Sequence, residues 1–407
     1  MSSIQSLVAL LGLSAFIQHV AAVSQCTPPD HNALAQPQAP LCRDDQNAPG
    51  VSESLRIKYG KWSHEPFCVT ERTKVYCTHT TSDFRNDHGV SVIASPVAAS
   101  AISSALSASK AARHISDQGL EVSDIPGKGK GLTTKHAIRR GETILLDAPR
   151  IIASAQFPSH VTHSQGASLF STALSQLPSP DRDLIMSLDK SLGGTDIENI
   201  MKTNAFACQL NDGGVGDAYM CLFPSVSRIN HACRPNAHAR FIPRTLLMEV
   251  RAVRDITAGE EISISYGKLD LPHAERQRLY KQGWNFTCTC SSCTSTPYEI
   301  AGSDQRRARF ARLRHMLENL TSETYDAQQI VAWEREVMEI SAREGLDSLL
   351  AGDYERLAYV YAGSGMVGDA RLWANKARES LMEWTVVDGG PENEIRRVEE
   401  LLGELGG

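Results

Sequence analysis

The sequence predicts an α+β protein: a β-rich core, a helical insert within it, and an all-α region behind it. Three observations carry this. Short apolar stretches broken by glycine turns occupy 120–148 and 238–267, the pattern of a core built from short strands. Between them, apolar residues recur at helical spacing through Leu169, Leu174 and Leu177, then through Ile185, Leu188 and Leu192. From Glu299 onward the helical period returns, through Leu313, Met316 and Leu320 and on to Ala377 and Leu381, giving four or five consecutive helices.

With 407 residues the chain can bury a sizeable core and holds roughly two or three domains. A net charge of -6 argues against wholesale nucleic-acid binding, which shows a basic surplus or stripe, so no direct nucleic-acid partner is expected.

Residues 1–22 read as a secretory signal peptide. Leu7 to Ile17 form an apolar run too short to cross a bilayer as a mature helix, and Val20-Ala21-Ala22 offers small residues to a signal peptidase, although no Lys or Arg precedes the run. A secretory-pathway or secreted location follows, with no membrane span in the mature chain; a nuclear or cytoplasmic location is the alternative if the segment stays uncleaved. Residues 23–114 read as a linker and a cysteine-containing hairpin region. Thr27 to Gly50 is rich in Pro, Ala, Gln and Asn and is expected to be extended. The patches VYCTHT and GVSVIAS within Val69 to Ile93 read as one or two hairpins, and the Ala/Ser-rich stretch 94–112 as a loosely packed helix. Cys26, Cys42, Cys68 and Cys77 are an even set behind a signal, which predicts disulfides with three connectivities open; Cys68 and Cys77 could staple one hairpin.

The core begins near Ile115. Leu120 to Ile125 alternates apolar and charged residues, and Gly131 to Ile138 and Glu142 to Ala148 continue as short strands broken by Arg139-Arg140-Gly141. The intervening Gly127-Lys128-Gly129-Lys130-Gly131 lacks the third glycine of a dinucleotide loop, since Leu132 stands there, and no Gly-Lys-Ser/Thr follows. Its glycines still let backbone approach a ligand closely. Ser159 to Asn204 is the helical insert. His238 to Phe241 and Leu246 to Val253 read as a hairpin with Arg251 and Arg254 as solvated strand ends, while Cys208 and Cys221, which have no ligand spacing, read as buried small hydrophobes.

The chemistry concentrates in three stretches. Phe223 to Asn236 reads FPSVSRINHACRPN and puts amides, an imidazole and a thiol on backbone expected to be buried, where polar groups need partners. Asn230 and His231 offer donors and acceptors to a ligand and Cys233 a metal-binding thiol; the plainer reading is a polar turn capping a helix. Gly259 to Gly267 reads GEEISISYG, a turn and an alternating strand ending on Tyr266. Cys288, Cys290 and Cys293 lie too close together for useful disulfides, yet can converge as thiolates on one tetrahedral ion, with Cys233 the candidate fourth ligand.

In this order the stretches resemble the SET-domain methyltransferases, in which NHxCxPN, a GEEI-like strand ending in Tyr and a CxCxxC tail follow one another. GKGKGL upstream is similar to that family's first glycine motif. The resemblance is to the SET-and-MYND branch and to fungal SET proteins without the MYND finger, over roughly Leu120 to Cys293 and more weakly to the C-terminus. It implies a SET and post-SET catalytic domain over 115–296, whose insert, about 159–204, lines one wall of the substrate groove. It also implies a tetratricopeptide-like helical domain over 297–407, with Ala351 to Trp384 as a helix pair and small residues (Ala362, Ala370, Ala374, Ala377) at the close approach. The implied cofactors are S-adenosylmethionine, bound by Lys128, Gly129, Lys130, Gly131, Asn230, His231, Tyr266 and Phe286, and Zn2+, bound by Cys233, Cys288, Cys290 and Cys293. Tyr266 is the implied catalytic residue and a lysine side chain of a protein or peptide the implied substrate. Lys202 to Phe206 resembles the stretch after the insert. The MYND cysteine and histidine spacing is absent from Ser159 to Asn204, so recruitment through that finger does not carry over. A second reading keeps the fold without the turnover, as a silent SET-fold binding protein or a secreted interaction protein.

Overall fold

The structure, a computed structural model, describes residues 62–85, 88–109, 119–210, 218–384 and 392–406. The signal segment and Cys26 and Cys42 lie outside the described residues. Strands β1 (Phe67–Glu71), β2 (Lys74–Arg85) and β3 (His88–Ala94) form an antiparallel meander, followed by helix α1 (Pro96–Ser109). Cys68 and Cys77 are register partners across β1 and β2 at disulfide distance, as the hairpin reading expected. The meander belongs to the core: β3, apolar and almost wholly buried, pairs in parallel with β7 (Ile151–Ser154). With β8 (Phe206–Cys208) and β9 (Tyr219–Leu222) this makes a six-stranded sheet in the order β1-β2-β3-β7-β9-β8.

Two smaller sheets carry the motifs. One joins β4 (Leu120–Ile125), β5 (Gly129–Thr134), β10 (Asn230–His231) and β13 (Glu261–Ile264) in the order β10-β13-β5-β4. The other joins β6 (Thr143–Asp147), β11 (Ala237–Ile242) and β12 (Leu247–Ala252) in the order β11-β12-β6. Their inward residues, among them Leu132, Leu145, Val250 and Ile262, share one buried cluster with Val92 and Ile152 of the large sheet. Arg251 departs from a solvated strand end, being partly buried and donating to the Gly141 carbonyl, whereas Arg254 is exposed on Glu260.

The insert is helical: α2 (Phe157–His160), α3 (His163–Ser175), α4 (Ser179–Met186) and α5 (Asp196–Asn204). Thr162 with Gln165 and Thr195 with Glu198 form capping boxes that start α3 and α5, each satisfying backbone N–H groups no helix can pair internally. Leu169, Phe170, Ile185 and Ile200 pack on Ile93, Ile151 and Met220 of the large sheet. Truncating a fully buried leucine such as Leu169 to Ala costs about 2–5 kcal/mol. One buried carboxylate pins the insert: Asp181 of α4 accepts from Arg150 Nε at 2.7 Å and from Gly89 N–H at 2.7 Å, with His88 Nδ1 at 2.9 Å.

The rest is helical. Helix α6 (His273–Trp284) leads into the cysteine tail, and α7 (Pro297–Glu318), α8 (Ala327–Glu344), α9 (Ala351–Gly363), α10 (Val367–Trp384) and α11 (Glu392–Glu404) follow. Thr296 and Glu299 box the start of α7, with Pro297 in its first turn, and Gly345 in the left-handed region ends α8. Ala358, Ala370, Ala374 and Ala377 are fully buried where α9 and α10 approach. Among the described residues no helix is long and apolar enough to cross a membrane.

Candidate active site and four-cysteine centre

Two motifs distant in sequence are clamped together by one buried amide. Asn236 Oδ1 accepts from Ser263 N–H at 2.8 Å, and its Nδ2 donates to the Glu261 carbonyl at 2.8 Å. This aligns β10 in parallel with β13, Asn230 opposite Ser263 and His231 opposite Ile264. The turn before β10 is held from below, where the buried Asp147 carboxylate accepts from Ser225 N–H at 2.7 Å and from Val226 N–H at 3.2 Å. The polar groups of FPSVSRINHACRPN therefore have partners, as buried polar groups must.

Asn230 projects toward the glycine strand. Its Nδ2 donates to Glu261 Oε1 at 3.0 Å and to the Lys130 carbonyl at 3.2 Å. Glu261 Oε2 takes the Lys128 ammonium at 2.6 Å, and Lys130 pairs with Asp124 at 2.8 Å, so both lysine head groups are engaged within the sheet. Gly131 has to be glycine: a Cβ there would stand 2.5 Å from Ile125 Cγ1 and 2.7 Å from Asn230 Nδ2. Gly129, at φ +76°, faces open space.

His231 is buried with its ring turned away from solvent. Nδ1 accepts the Tyr266 backbone N–H at 3.2 Å, and Nε2 lies 3.4 Å from Cys233 Sγ. An accepting Nδ1 fixes the neutral tautomer with the proton on Nε2, which donates to the sulfur. Tyr266 follows β13; its hydroxyl donates to the Ile229 carbonyl at 2.7 Å and its ring packs against Trp284, centroids 5.2 Å apart. Burial, reinforced by the negative charges of Asp189 and Glu261, raises its pKa, so the phenol stays protonated. Phe286 is half-buried, stacked on Tyr280 at 5.5 Å and edge-on to Tyr266 at 6.1 Å.

The sulfurs of Cys233, Cys288, Cys290 and Cys293 all lie within 4.8 Å of one another. Gln277 holds the tail in place, its amide accepting from Cys288 N–H and donating to the Cys288 carbonyl, both at 2.9 Å. Hydrogen bonding from the neighbouring sulfurs drives the Cys233 thiol toward thiolate and the Cys288 thiol the other way. Four cysteine sulfurs at such separations are the donor set of a tetrahedral cation site. Beside them the buried Arg276 has no partner for Nε; burial works against its charge, but Cys233, by charge and hydrogen bond, together with Cys293 and Tyr280, raises its pKa. By contrast Cys208 and Cys221, expected as independent buried hydrophobes, are buried but face each other across β8 and β9 at disulfide distance, Cα atoms 6.1 Å apart. That is a correction, and its cause is strand pairing, which a separation of 13 residues does not announce.

A cavity of about 1140 Å³ is lined by Tyr266. Its walls include Asn204, Phe206, Ile229, Tyr266 and Trp284 from the core and Tyr354, Ser380 and Trp384 from the C-terminal helices. Tyr266 alone of the sequence-predicted site residues lines it; Lys128 to Gly131, Asn230, His231 and Phe286 do not. Reading the sequence missed the partners that hold the site: Asn236, Glu261, Trp284 and Arg276. Asn236 closes the NHxCxPN motif and was the one with a signal, a short amide next to a proline in a buried run.

A β-rich core carrying these motifs on paired short strands defines a SET domain, and residues 129–267 match the SET domain family. The match spans the glycine strand, the NHxCxPN run and Tyr266. The chain is 31% identical over 194 residues to the histone-lysine N-methyltransferase set5 of Schizosaccharomyces pombe, covering 47% of this chain and 56% of that protein. It is 29% identical over 181 residues to the human N-lysine methyltransferase SMYD2, covering 41% of each. The chain thus spans about half the length of the curated relatives it matches.

Proposed function

We propose that the chain is an S-adenosylmethionine-dependent protein-lysine N-methyltransferase with Tyr266 as its catalytic residue. One observation carries the reading: Tyr266 lines the cavity while its backbone N–H is held by His231, the neighbour of Asn230 on the strand beside the glycine motif, so that acceptor and cofactor would meet at this residue. Relatives named as lysine methyltransferases support the same reaction.

When bound, S-adenosylmethionine supplies an electrophilic methyl group on sulfur. Gly129, Gly131, Asn230 and the His231 backbone would hold it, with the half-buried Phe286 face beside them; the donor set fits, because Gly131 leaves no side chain between Ile125 and Asn230. Lys128 and Lys130 would contribute backbone, since Glu261 and Asp124 take their charges. The acceptor must be a neutral amine. A lysine has a pKa of about 10.4 in water, and desolvation against Phe206, Ile229 and Trp284 of the cavity wall would lower it. Tyr266, a protonated phenol tied to Ile229, orients and does not abstract a proton; alignment at about 3 Å is the main requirement.

The four cysteines would hold one structural zinc ion in a closed tetrahedral site, ordering the tail behind Trp284 and Phe286. Helices α9 and α10, with alanines at their contact, support a tetratricopeptide-like pair that walls the cleft. For the location we keep the secretory pathway, a reading that the two cysteine pairs support and that intact-mass measurement of protein from its own host tests; an uncleaved N-terminus overturns it.

The test of the activity is transfer of labelled methyl from S-adenosylmethionine to a mixed protein and peptide panel, with calorimetry of cofactor binding alongside. Methylated lysine is the expected product. Tight cofactor binding with no methylation of anything, the chain itself included, overturns the reading in favour of a silent SET-fold binding protein.

A further inference from the structure

Strand β11 grips the end of helix α10. Arg240 Nη1 donates to the carbonyls of Met382 and Glu383, the latter at 2.9 Å, and His238 Nε2 lies 3.2 Å from the Trp384 carbonyl, its ring edge-on to the indole at 5.0 Å. These are last-turn carbonyls, which have no partner within the helix and form the negative end of its dipole. A guanidinium is suited to them because it stays charged and offers several donors in a rigid plane. The guanidinium is itself fixed from behind: Nε and Nη2 each reach Glu249 Oε2 at 2.7 Å, and Thr143 donates to Glu249 Oε1 at 2.8 Å. Both Arg240 and Glu249 side chains are only 11% exposed.

The contact sits on the cleft. His238 and Phe241 of β11 line the cavity from one side, Glu383 and Trp384 of α10 from the other. We propose that Arg240 is a positioning residue for the acceptor: by holding the C-terminus of α10 on β11 it sets the gap between the SET sheets and the helical wall. It acts without touching the reacting groups, since Tyr266 is held by His231 and Ile229 and not by Arg240. The part of this inference that concerns acceptor binding rests on the methyltransferase reading; the latch itself does not.

The experiment compares full-length wild type, R240Q and R240K by amide hydrogen exchange, by calorimetry with S-adenosylmethionine, and by steady-state methylation of core histones. In R240Q the amides of 378–384 are expected to exchange about tenfold faster, while those of 230–232 and 261–266, and the cofactor affinity, stay within about twofold. KM for histones rises about tenfold at near-constant kcat, the mark of lost uniform binding. R240K, which keeps the charge and loses the fork, recovers part of the protection. Unchanged exchange at 378–384 in R240Q overturns the latch, and so does faster exchange spread evenly over the chain with weakened cofactor binding, which is general destabilisation. If wild type methylates no histone, the methyltransferase reading has failed on that acceptor, and the exchange pattern still decides the latch.

Discussion

His231 connects Tyr266 to Cys233: its Nδ1 accepts the tyrosine's backbone N–H at 3.2 Å while its Nε2 lies 3.4 Å from the cysteine's sulfur. One imidazole therefore ties the candidate catalytic residue to the four-cysteine centre, and the order of one depends on the order of the other.

Metal analysis of purified protein should give about one zinc per chain. C290S should lose zinc and melt lower, and chelation should alter the fluorescence of Trp284, which packs on Tyr266 at 5.2 Å. Full zinc content and an unchanged melting temperature in C290S would remove the metal from the account.

Y266F keeps the ring against Trp284 and deletes the hydroxyl that donates to Ile229. It should lose about 10² to 10³ in kcat and still bind S-adenosylmethionine, because an interaction that matters only during transfer lowers rate and not affinity. N230A should lose cofactor binding itself, read by calorimetry. A silent Y266F would reduce Tyr266 to a core aromatic.

Gly131→Ala tests the close approach between β5 and Asn230. The added methyl meets Ile125 at 2.5 Å and Asn230 at 2.7 Å, and overpacking of this kind costs about 1–3 kcal/mol. Denaturant unfolding should show that loss together with weaker cofactor binding. Native stability and affinity in the variant would mean that the strand shifts freely and that Asn230 is not held as described.

His79 predicts an acid-sensitive fold. It is 1% exposed, neither ring nitrogen has a partner, and burial lowers its pKa to about 4. The unfolded chain binds the proton below about 6.5 and the folded chain does not, so stability falls as pH drops from about 6.5 to 4, on the order of 3 kcal/mol in all. In H79L that portion of the pH dependence should vanish. Equal losses in wild type and H79L between pH 7 and pH 4.5, measured by urea unfolding, would assign the sensitivity to other groups.

What could be read from sequence was what repeats locally. Leu120 to Ile125 matches β4 residue for residue, although at this sheet edge burial does not follow the alternation and Val122 is exposed. Helical spacing located the insert, and the motifs located Tyr266 on the cavity. What escaped was set by partners far along the chain. The amide of Asn236 meets Ser263, the charge of Lys128 meets Glu261, and Cys208 meets Cys221, and no local pattern marks any of these pairs. The same holds for Arg240, which reads as an ordinary strand residue until the end of α10, 142 residues later, is laid beside it.

The sulfurs of Cys233 and Cys293 are separated by 60 residues of chain, and Tyr266 lies inside that loop. During synthesis the NHxCxPN stretch and the tyrosine leave the ribosome well before the tail that completes their surroundings. The cysteine centre can therefore close only once the tail has emerged. A product ending between Gly267 and Cys288 would contain Tyr266, Asn230 and the glycine strand in full, yet would lack Trp284 or Phe286 or the thiols behind them, and would leave Cys233 exposed to whatever oxidant or metal reached it first.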